Sequence, residues 1–489
     1  MVQSNNKERT LEMKNRTRVP GVVLISMFLL MLSACSTVGN YTQPETELPG
    51  TYRGSVAADS EAVAVPFAGT IPYRTFFADK SLIGLIDAAL ENNHDLQVAI
   101  KNIEYASLGL KQAKLGNLPG LNLQGGVSRA TTSDFGSTPL PSGKESAEEY
   151  SASLSLSWEA DIWGKIRNTR KAALAEYLRS VEAEKAVQTR LVADVARGYY
   201  NLLQLDAQLD ISRKSQALAD TTLSMMRLQY DAGYVTSLAV EQQEAVKLGI
   251  EAGIAGIEQG IAAQENALSV LCGRMPDEIA RTVRLSDLSI ESTFSPGIPA
   301  QLLSNRPDVK SAEMALMKAH AESGVAGSRL YPSFTISAEA GSNALQSSDW
   351  FTFPGSLFSF VQGAVLQPVF QQGKLRTAYK QSRVVSDREE ILFRQAVLNA
   401  VREVSDALVA IQKLDIREKA LEKQERVLRQ SVEHANLLFN SGMADYLEVI
   451  TAQKNALDAG VSLADIRRQR LDARTELYRA LGGGWRKGG

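Results

Sequence analysis

Nine consecutive residues, Tyr150 to Trp158, alternate between apolar and polar side chains without exception. The apolar positions are Tyr150, Ala152, Leu154, Leu156 and Trp158, and every position between them is a serine. Successive side chains of a β-strand point to opposite faces, so the pattern predicts a strand with one apolar and one wet face. About nine residues are what a tilted strand needs to cross the hydrocarbon core of a bilayer. A proline-free segment from Ile162 follows directly and predicts a long helix.

The composition excludes several classes of protein. The 489 residues carry a formal charge of -2, which gives no overall attraction to nucleic acid. Hydrophobic residues make up 44% of the chain, which is typical of ordered structure. The three histidines, His94, His320 and His434, are far apart and lack the spacing of metal ligands. With no nucleophile elbow or phosphate-binding loop in the sequence, we predict neither catalysis nor a cofactor.

The N-terminus has the pattern of a secretion signal. Basic residues at positions 14–18 precede an apolar segment over 19–31, and Leu-Ser-Ala-Cys follows at 32–35. This order predicts a signal peptide over residues 1–34, and Met13 is a second candidate for the start of translation beside Met1.

The Leu-Ser-Ala-Cys tetrapeptide resembles the lipobox of bacterial lipoproteins. The resemblance implies that Cys35 is lipid-modified after cleavage, the alternative being a plain cleaved signal with an incidental cysteine. Ser36 rather than aspartate follows, which by the same resemblance favours the outer membrane. Cys272 is then the only thiol left, so no intramolecular disulfide can form, and its apolar context predicts a core residue.

Helical and strand patterns alternate along the mature chain. Residues 35–75, rich in Pro, Gly, Thr and Ser, are predicted to be an extended tether. Two helices and a second strand candidate follow, and a polar loop joins that candidate to the strand at Tyr150. The helix from Ile162 to about Asp231 would reach about 100 Å. Ala232-Gly233 ends it, and a further helix is predicted from Leu238 to Leu271.

The same order of elements then recurs about 210 residues later. NNHDLQVA at Asn92 is answered by NRPDVKSA at Asn305, and GKIR at Gly164 by GKLR at Gly373. LSVLCG before Arg274 is answered by LYRALGG near the C-terminus. Several matches in the same order indicate a duplicated unit of helices, a β-hairpin and two long helices.

The repeat gives a predicted domain division. Repeat 1 covers 76–285, with its hairpin at about 119–158 and its long helices at about 162–271. Repeat 2 covers 286–482, with its hairpin at about 332–369 and its long helices at about 371–481. The prediction leaves 483–489 as a flexible tail.

The strand edges then demand an oligomer. Four strands of bilayer-spanning length cannot close on themselves, and each unpaired backbone group in lipid costs several kcal/mol. Two, three or four chains would close barrels of eight, twelve or sixteen strands, and this argument alone leaves the number open. The serine and glutamate faces would line a wet lumen. The predicted interfacial aromatic residues are Tyr150, Trp158, Trp350, Phe351 and Phe353.

Several segments in combination resemble the outer-membrane efflux proteins of the TolC and OprM group, especially the lipoprotein branch. The segments are LSLSWEADIWGKIR, LSVLCGRMP, NRPDVKSAE, YPSFTISAEAG and LQPVFQQGKLR. The resemblance covers nearly the whole mature chain. It implies a mixed α/β membrane protein: a homotrimer with a twelve-stranded transmembrane β-barrel, four strands per chain, continuous with a long periplasmic α-helical barrel. It also implies a lipid-anchored protein of the outer membrane that extends into the periplasm.

The resemblance further implies passive export of drugs or other small molecules. Its partners would be outer-membrane lipid, a periplasmic adaptor protein and an inner-membrane efflux pump, most simply of the RND type. Two alternatives remain: the outer-membrane duct of a protein or peptide secretion system, and a lipid-anchored periplasmic coiled-coil scaffold without a pore. The scaffold does not explain four alternating strands placed symmetrically in two repeats.

The resemblance also implies a gate at the turn NSGMADYLEVITAQK. Glu448 matches an acidic position of the family's closed tunnel end, and Leu447 matches a hydrophobic constriction position. Thr451 stands where the family has a second acid, so this sequence departs from the pattern of a double acidic ring. Lys454 replaces an arginine and is a candidate for charge pairing. The alternative is an ordinary solvated helix start capped by Asp445.

The two turns between long helices are also the predicted places of adaptor contact. The candidates in the first turn are Gly233, Tyr234, Thr236 and Ser237, and those in the second are Gly442 and Asp445. A helix hairpin without a binding role is the alternative for the first turn.

Overall fold

A computed structural model describes residues 39–54, 67–131, 146–288 and 296–486 of the chain. Two short 3₁₀ helices, Ala68–Thr70 and Leu285–Asp287, accompany the longer elements. These are, in chain order, α1 (Tyr73–Phe76), α2 (Lys80–Asn92), α3 (His94–Leu115), β1 (Gly120–Thr131), β2 (Ser146–Glu159), α4 (Lys165–Asp231), α5 (Ser237–Leu271), α6 (Ala300–Asn305), α7 (Pro307–Ser328), β3 (Ser333–Ala344), β4 (Leu357–Leu366), α8 (Lys374–Asn440) and α9 (Tyr446–Ala480).

Three pairs of corresponding helices have equal lengths in the two halves. The helices α3 and α7 have 22 residues each, α4 and α8 have 67, and α5 and α9 have 35. No helix in the described ranges is both long enough and apolar enough to cross a membrane.

The four strands form one antiparallel sheet in the order β1-β2-β3-β4. This sheet lies in a compact unit whose described residues are 39–44, 105–131, 146–177 and 314–391. Leu121 pairs with Leu156, Leu156 with Ala338, and Ala338 with Val361, so the apolar face continues across the sheet. Leu121, Leu123 and Val127 are 60%, 81% and 62% exposed in the single chain. Such exposure of apolar side chains indicates that this face contacts an apolar medium outside the chain.

The strands are longer than the sequence pattern indicates. Strand β2 begins at Ser146, although the sequence predicts that the polar loop continues to Glu149. Arg129 pairs with Glu148 in the strand register, and their charged groups are 3.8 Å apart. Cross-strand backbone bonds and this ion pair extend the hairpin over polar residues that have no alternating pattern.

The predicted aromatic residues lie at both ends of the strands. Tyr150 and Trp350 have ring centroids 5.5 Å apart, and Phe351 stacks on Trp350 at 4.9 Å. Phe353 continues this group with an edge contact to Phe351 at 6.4 Å. Trp158 lies at the other end of β2, where its indole N–H donates to the carbonyl of Asn117 over 2.8 Å. The arrangement suits rings that are apolar in body and polar at one edge.

The second compact unit contains the main helical core, and its described residues are 45–54, 67–104, 178–288, 296–313 and 392–486. Tyr199 and Tyr478 are its largest fully buried side chains. Phe76 stacks on Tyr478 at 4.1 Å, and the Tyr478 hydroxyl donates to the carbonyl of Ile71 over 2.6 Å. The predicted core residue Cys272 is buried, and this burial raises the pKa of its thiol.

The prediction of an extended tether through residue 75 is wrong at its end. Ala68–Thr70 and α1 are helical, and Ile71 and Tyr73 are 7% and 4% exposed. Aromatic and branched side chains hidden among polar and small neighbours carry this segment into the core, which composition alone does not show.

The prediction of a flexible tail is also wrong for residues 483–486. Gly483 and Gly484 are buried, and the ammonium of Lys185 lies 4.9 Å from the centre of the Trp485 ring. The Arg486 guanidinium donates to the Asn305 side chain over 3.0 Å. A cation over an indole face and a side-chain hydrogen bond fix this end, although its composition is glycine-rich. Residues 487–489 lie outside the described ranges.

The four long helices end in the same way. A glycine with positive φ follows each one, at Gly233, Gly273, Gly442 and Gly482. The glycine N–H bonds to the carbonyl three residues back, and the next N–H bonds to the carbonyl five residues back. This is the Schellman motif, which satisfies the last carbonyls of a helix through the backbone.

We predict that alanine at Gly273 destabilises the protein more than alanine at Gly233. Both glycines have positive φ, which costs a side-chain-bearing residue about 1 kcal/mol. A Cβ at Gly273 would lie 2.3 Å from the Asn92 carbonyl oxygen, whereas a Cβ at Gly233 meets nothing within 4 Å. Overpacking should therefore add about 1–3 kcal/mol for Gly273→Ala. Thermal unfolding of detergent-solubilised protein measures both variants, and equal midpoints would contradict this account.

Candidate functional site: the two turns between long helices

The turns after α4 and α8 are joined by a small core of their own. Met226, Phe439 and Val449 are at most 6% exposed and pack together with Ala435. Val235 from the first turn and Tyr446 from the second pack against this cluster. The structure therefore brings the two predicted contact turns to one place.

The predicted gate residues share one exposed face of α9. Val449 and Gln453 face inward and are 0% and 9% exposed. The outward positions are Leu447, Glu448, Thr451 and Lys454, all of them exposed. Their spacing is that of neighbouring positions on a helix surface, so the four side chains form a contiguous strip. Hereafter we call these four residues the α9 strip.

The two charged residues of the α9 strip have no ion-pair partner within the described part of this chain. Neither Glu448 nor Lys454 lies within 4.0 Å of an oppositely charged group there. Asp445 has the capping role considered above, because its carboxylate accepts from the N–H of Tyr446 over 2.6 Å. A capping Asp445 does not argue against a gate, since the cap orients the strip without covering it.

The first turn presents its candidates to solvent. Tyr234 is 83% exposed, and Gly233, Thr236 and Ser237 are exposed as well. Thr236 occupies the N-cap position of α5, but its side chain makes no capping hydrogen bond. Leu238 is also 54% exposed, and Met443 of the second turn is 72% exposed. The two turns thus expose an apolar surface with a few polar groups at its edge.

Ion pairs hold α4 and α5 together near the first turn. The ammonium of Lys247 lies 2.7 Å from the Asp220 carboxylate, and this hydrogen bond raises the pKa of Lys247. Arg227 and Glu244 approach to 3.4 Å. These charges are largely exposed, so they align the helices and contribute little to stability.

Two buried glutamines near the turns were not predicted. The Gln453 amide donates to the Thr222 hydroxyl over 2.9 Å, and the Gln243 amide donates to the carbonyl of Ala219 over 3.1 Å. Thr222 and Gln243 are 0% exposed. Each bond joins two long helices and fixes their register. The sequence signal for these two residues was a polar side chain at a position that the helical period places toward the core.

A second group outside the prediction lies where the strands meet the helices. Trp163 stacks on Tyr331 at 4.8 Å, and its indole N–H donates to the carbonyl of Pro332 over 2.8 Å. Asp161 accepts from the N–H groups of Ile166 and Arg167 at 2.8 and 2.9 Å and so caps α4. The change from strand to helix is fixed here by side chains. Cys35 and the predicted signal peptide lie outside the described residues.

Comparison with known proteins decides what kind of molecule carries these turns. The family profile described as "Outer membrane efflux protein" matches residues 85–274 and 298–483. The chain belongs to the outer membrane efflux protein family.

Relatives span almost the whole chain. The solvent efflux pump outer membrane protein SrpC of Pseudomonas putida is 30% identical over 468 residues, which are 94% of this chain and 97% of SrpC. The probable outer membrane lipoprotein SilC of Salmonella typhimurium is 28% identical over 467 residues, 94% of this chain and 98% of SilC. The open-state outer membrane channel MtrE of Neisseria gonorrhoeae superposes with a TM-score of 0.81 at 25% identity, covering 92% of this chain and 99% of MtrE.

These findings confirm the predicted fold class and role. The protein is an outer membrane efflux protein whose four strands form part of a trimeric twelve-stranded β-barrel, continuous with a periplasmic α-helical barrel. It is the outer-membrane channel of a tripartite efflux system and works with a periplasmic adaptor and an inner-membrane pump. The family is one of transport proteins and not of enzymes.

We predict that Gln453→Leu loosens the two turns without unfolding the protein. The substitution removes the buried bond to Thr222, worth about 1 kcal/mol, and leaves an unpaired acceptor. Backbone amides of Tyr446–Val449 should then exchange with solvent about fivefold faster, as mass spectrometry of deuterated peptides can measure. Gln424→Leu, at an exposed position of α8, is the matched control. Unchanged exchange in Gln453→Leu would show that this bond does not hold the turns.

Proposed function

We propose that the α9 strip forms the constriction at the closed end of this efflux channel. The observation that carries the proposal is an exposed helix face with one large apolar side chain and two charges that have no ion-pair partner among the described residues. Three copies of this face around a threefold axis would put three Leu447 side chains and three Glu448 carboxylates around the pore. An apolar ring excludes water from a narrow pore, and a ring of carboxylates favours cations over anions.

The charges of the strip also supply a way to open the constriction. Like charges held close together repel one another, so the closed state needs compensation from cations, protons or a bound partner. In this scheme the Lys454 ammonium of a neighbouring protomer supplies part of this charge compensation. Thr451 is neutral, so the chain has one acidic ring in this strip and not two. A docked adaptor that draws Lys454 away would release the repulsion.

The adaptor contact falls on the exposed turns. Tyr234 offers a large ring with a polar tip, the type of side chain that anchors protein interfaces. Thr236 and Ser237 supply hydrogen-bonding groups beside it, and the positive-φ turns at Gly233 and Gly442 leave room for close backbone approach. Asp445 adds the one acidic side chain at the second turn.

The duct itself is passive in this proposal, without catalysis or a cofactor. Lipid modification at Cys35 would anchor each chain to the outer membrane, and a pump of the RND type would supply the transport energy. The cargo is drugs or other small molecules, since SrpC is a solvent efflux protein. A protein secretion duct is the competing function. Greater drug susceptibility after deletion of the gene would favour the first, and loss of a secreted protein would favour the second.

We predict that Glu448→Ala lowers the cation selectivity of single channels. Loss of three carboxylates from the constriction should lower the permeability ratio of potassium to chloride, measured as a smaller reversal potential in a salt gradient across a planar bilayer. Glu278→Ala, which removes an exposed carboxylate far from the turns in sequence, is the matched control. Unchanged selectivity in Glu448→Ala would remove Glu448 from the gate, and absence of any pore in the wild type would favour a scaffold.

We also predict that a photoreactive amino acid at Tyr234 captures the adaptor in cells. The side chain is 83% exposed at the turn, within reach of any protein docked there. The adduct should disappear when the adaptor gene is deleted. Lys101 of α3, with its side chain 77% exposed, is the control position and should give no adduct. Adducts at Lys101 but none at Tyr234 would move the adaptor contact elsewhere.

A further inference from the structure

The strand register defines the two faces of the sheet completely. Residues directly opposite each other in an antiparallel sheet have side chains on the same face. Ser155 is opposite Glu339, and Glu339 is opposite Phe360. The other face carries Leu154, Ala340 and their neighbours, the continuous apolar surface described above. In a transmembrane barrel the apolar face meets lipid, so Ser155, Glu339 and Phe360 face the lumen.

Glu339 is the central charge of this luminal face. It is the seventh residue of the 12-residue strand β3, and serines flank it at Ser337 and across the sheet at Ser155. No described residue of the chain makes an ion pair with it, and the described strands place no lysine or arginine on the luminal face. Arg129, the one basic residue in these strands, lies on the apolar face and pairs with Glu148. The negative charge of Glu339 is therefore uncompensated.

Two aromatic rings share the luminal face with this carboxylate. Phe360 is directly opposite Glu339, and Phe358 is opposite Gly341, two residues further along β3. Phe360 is 47% exposed in the chain. Large apolar rings on a mostly polar, water-facing surface cost free energy unless they have a use there. A phenyl ring beside a carboxylate suits an organic cation, because the ring packs against the aromatic body of the cation and the carboxylate attracts its charge.

We propose that Glu339 and Phe360 form a transit site for organic cations inside the barrel. Threefold symmetry gives three carboxylate–phenyl pairs around the lumen at one depth. Each pair suits a solute with a positive charge and an apolar body, and the open aqueous lumen keeps the binding weak enough for release. The proposal rests on the channel function and is independent of the α9 strip, which lies in the other compact unit.

The exposure of the site to water is tested first by cysteine labelling. Glu339→Cys should react with a charged, membrane-impermeant thiol reagent in reconstituted channels, and Ala338→Cys, on the lipid face, should not. The native Cys272 is buried and gives a low background. Labelling of Ala338→Cys with protection of Glu339→Cys would reverse the two faces and overturn the proposal.

The binding step is tested by block of single-channel current. Tetraphenylphosphonium is the aromatic probe and tetramethylammonium the small one, each added in turn to wild type and variants. Glu339→Gln should weaken block by tetraphenylphosphonium about fivefold. Phe360→Leu should weaken it about threefold with little effect on tetramethylammonium, because tetramethylammonium has no aromatic body to pack against the ring. The matched control is Glu148→Gln. Glu148 lies on the opposite face of the sheet, so tetraphenylphosphonium should block this variant as strongly as it blocks the wild type.

The outcomes separate this proposal from the gate. Unchanged block in Glu339→Gln, or equal weakening for both probes in Phe360→Leu, would overturn the transit site. If Glu448→Ala loses cation selectivity but tetraphenylphosphonium still blocks it as it blocks the wild type, the transit site is unaffected. Loss of block in Glu339→Gln with unchanged selectivity in Glu448→Ala would leave the gate without support.

Discussion

The hydrogen bonds missing at the two edges of the sheet determine the rest of this structure. Strands β1 and β4 are the outermost strands, and each has one side without a partner in the described part of the chain. In a hydrocarbon environment these backbone groups have no water to bond to, so the sheet cannot exist there alone. The meander runs in alternating directions, which makes β4 of one protomer antiparallel to β1 of the next. Trimer formation is therefore a condition of folding in the membrane.

Duplication explains how one chain builds its share of the trimer from two copies of the same unit of helices and a β-hairpin. Three pairs of corresponding helices match to the residue in length: 22 with 22, 67 with 67, and 35 with 35. The long helices also end with the same backbone hydrogen bonds at a glycine. Because main-chain groups close these ends, the side chains around them are free to differ between the repeats. Tyr234 and Met443 are corresponding residues that show this freedom.

Sequence alone predicted the elements where the hydrophobic period was strong. Alternation at Tyr150–Trp158 gave the strand, and Gly233 and Gly442 marked the helix ends, because period and turn chemistry are local properties. It failed at Ile71 and Trp485, where long-range packing overrides a loop-like composition. The candidates Leu447, Glu448, Thr451 and Lys454 came from the family resemblance, and the structure then placed them on one exposed face of α9. The buried partners of Gln453 and Gln243, and the luminal position of Phe360, depend on register and could not be read from one segment.

The equal lengths of the paired helices have a consequence for symmetry. Both turns lie on one small core, and each protomer contributes one turn of each kind. Three protomers then present six turns in a ring, alternating between one edged by Tyr234 and one edged by Met443 and Asp445. Any partner that binds around this ring meets six places of similar backbone and two chemistries. It must either carry two kinds of contact surface or leave every second place empty.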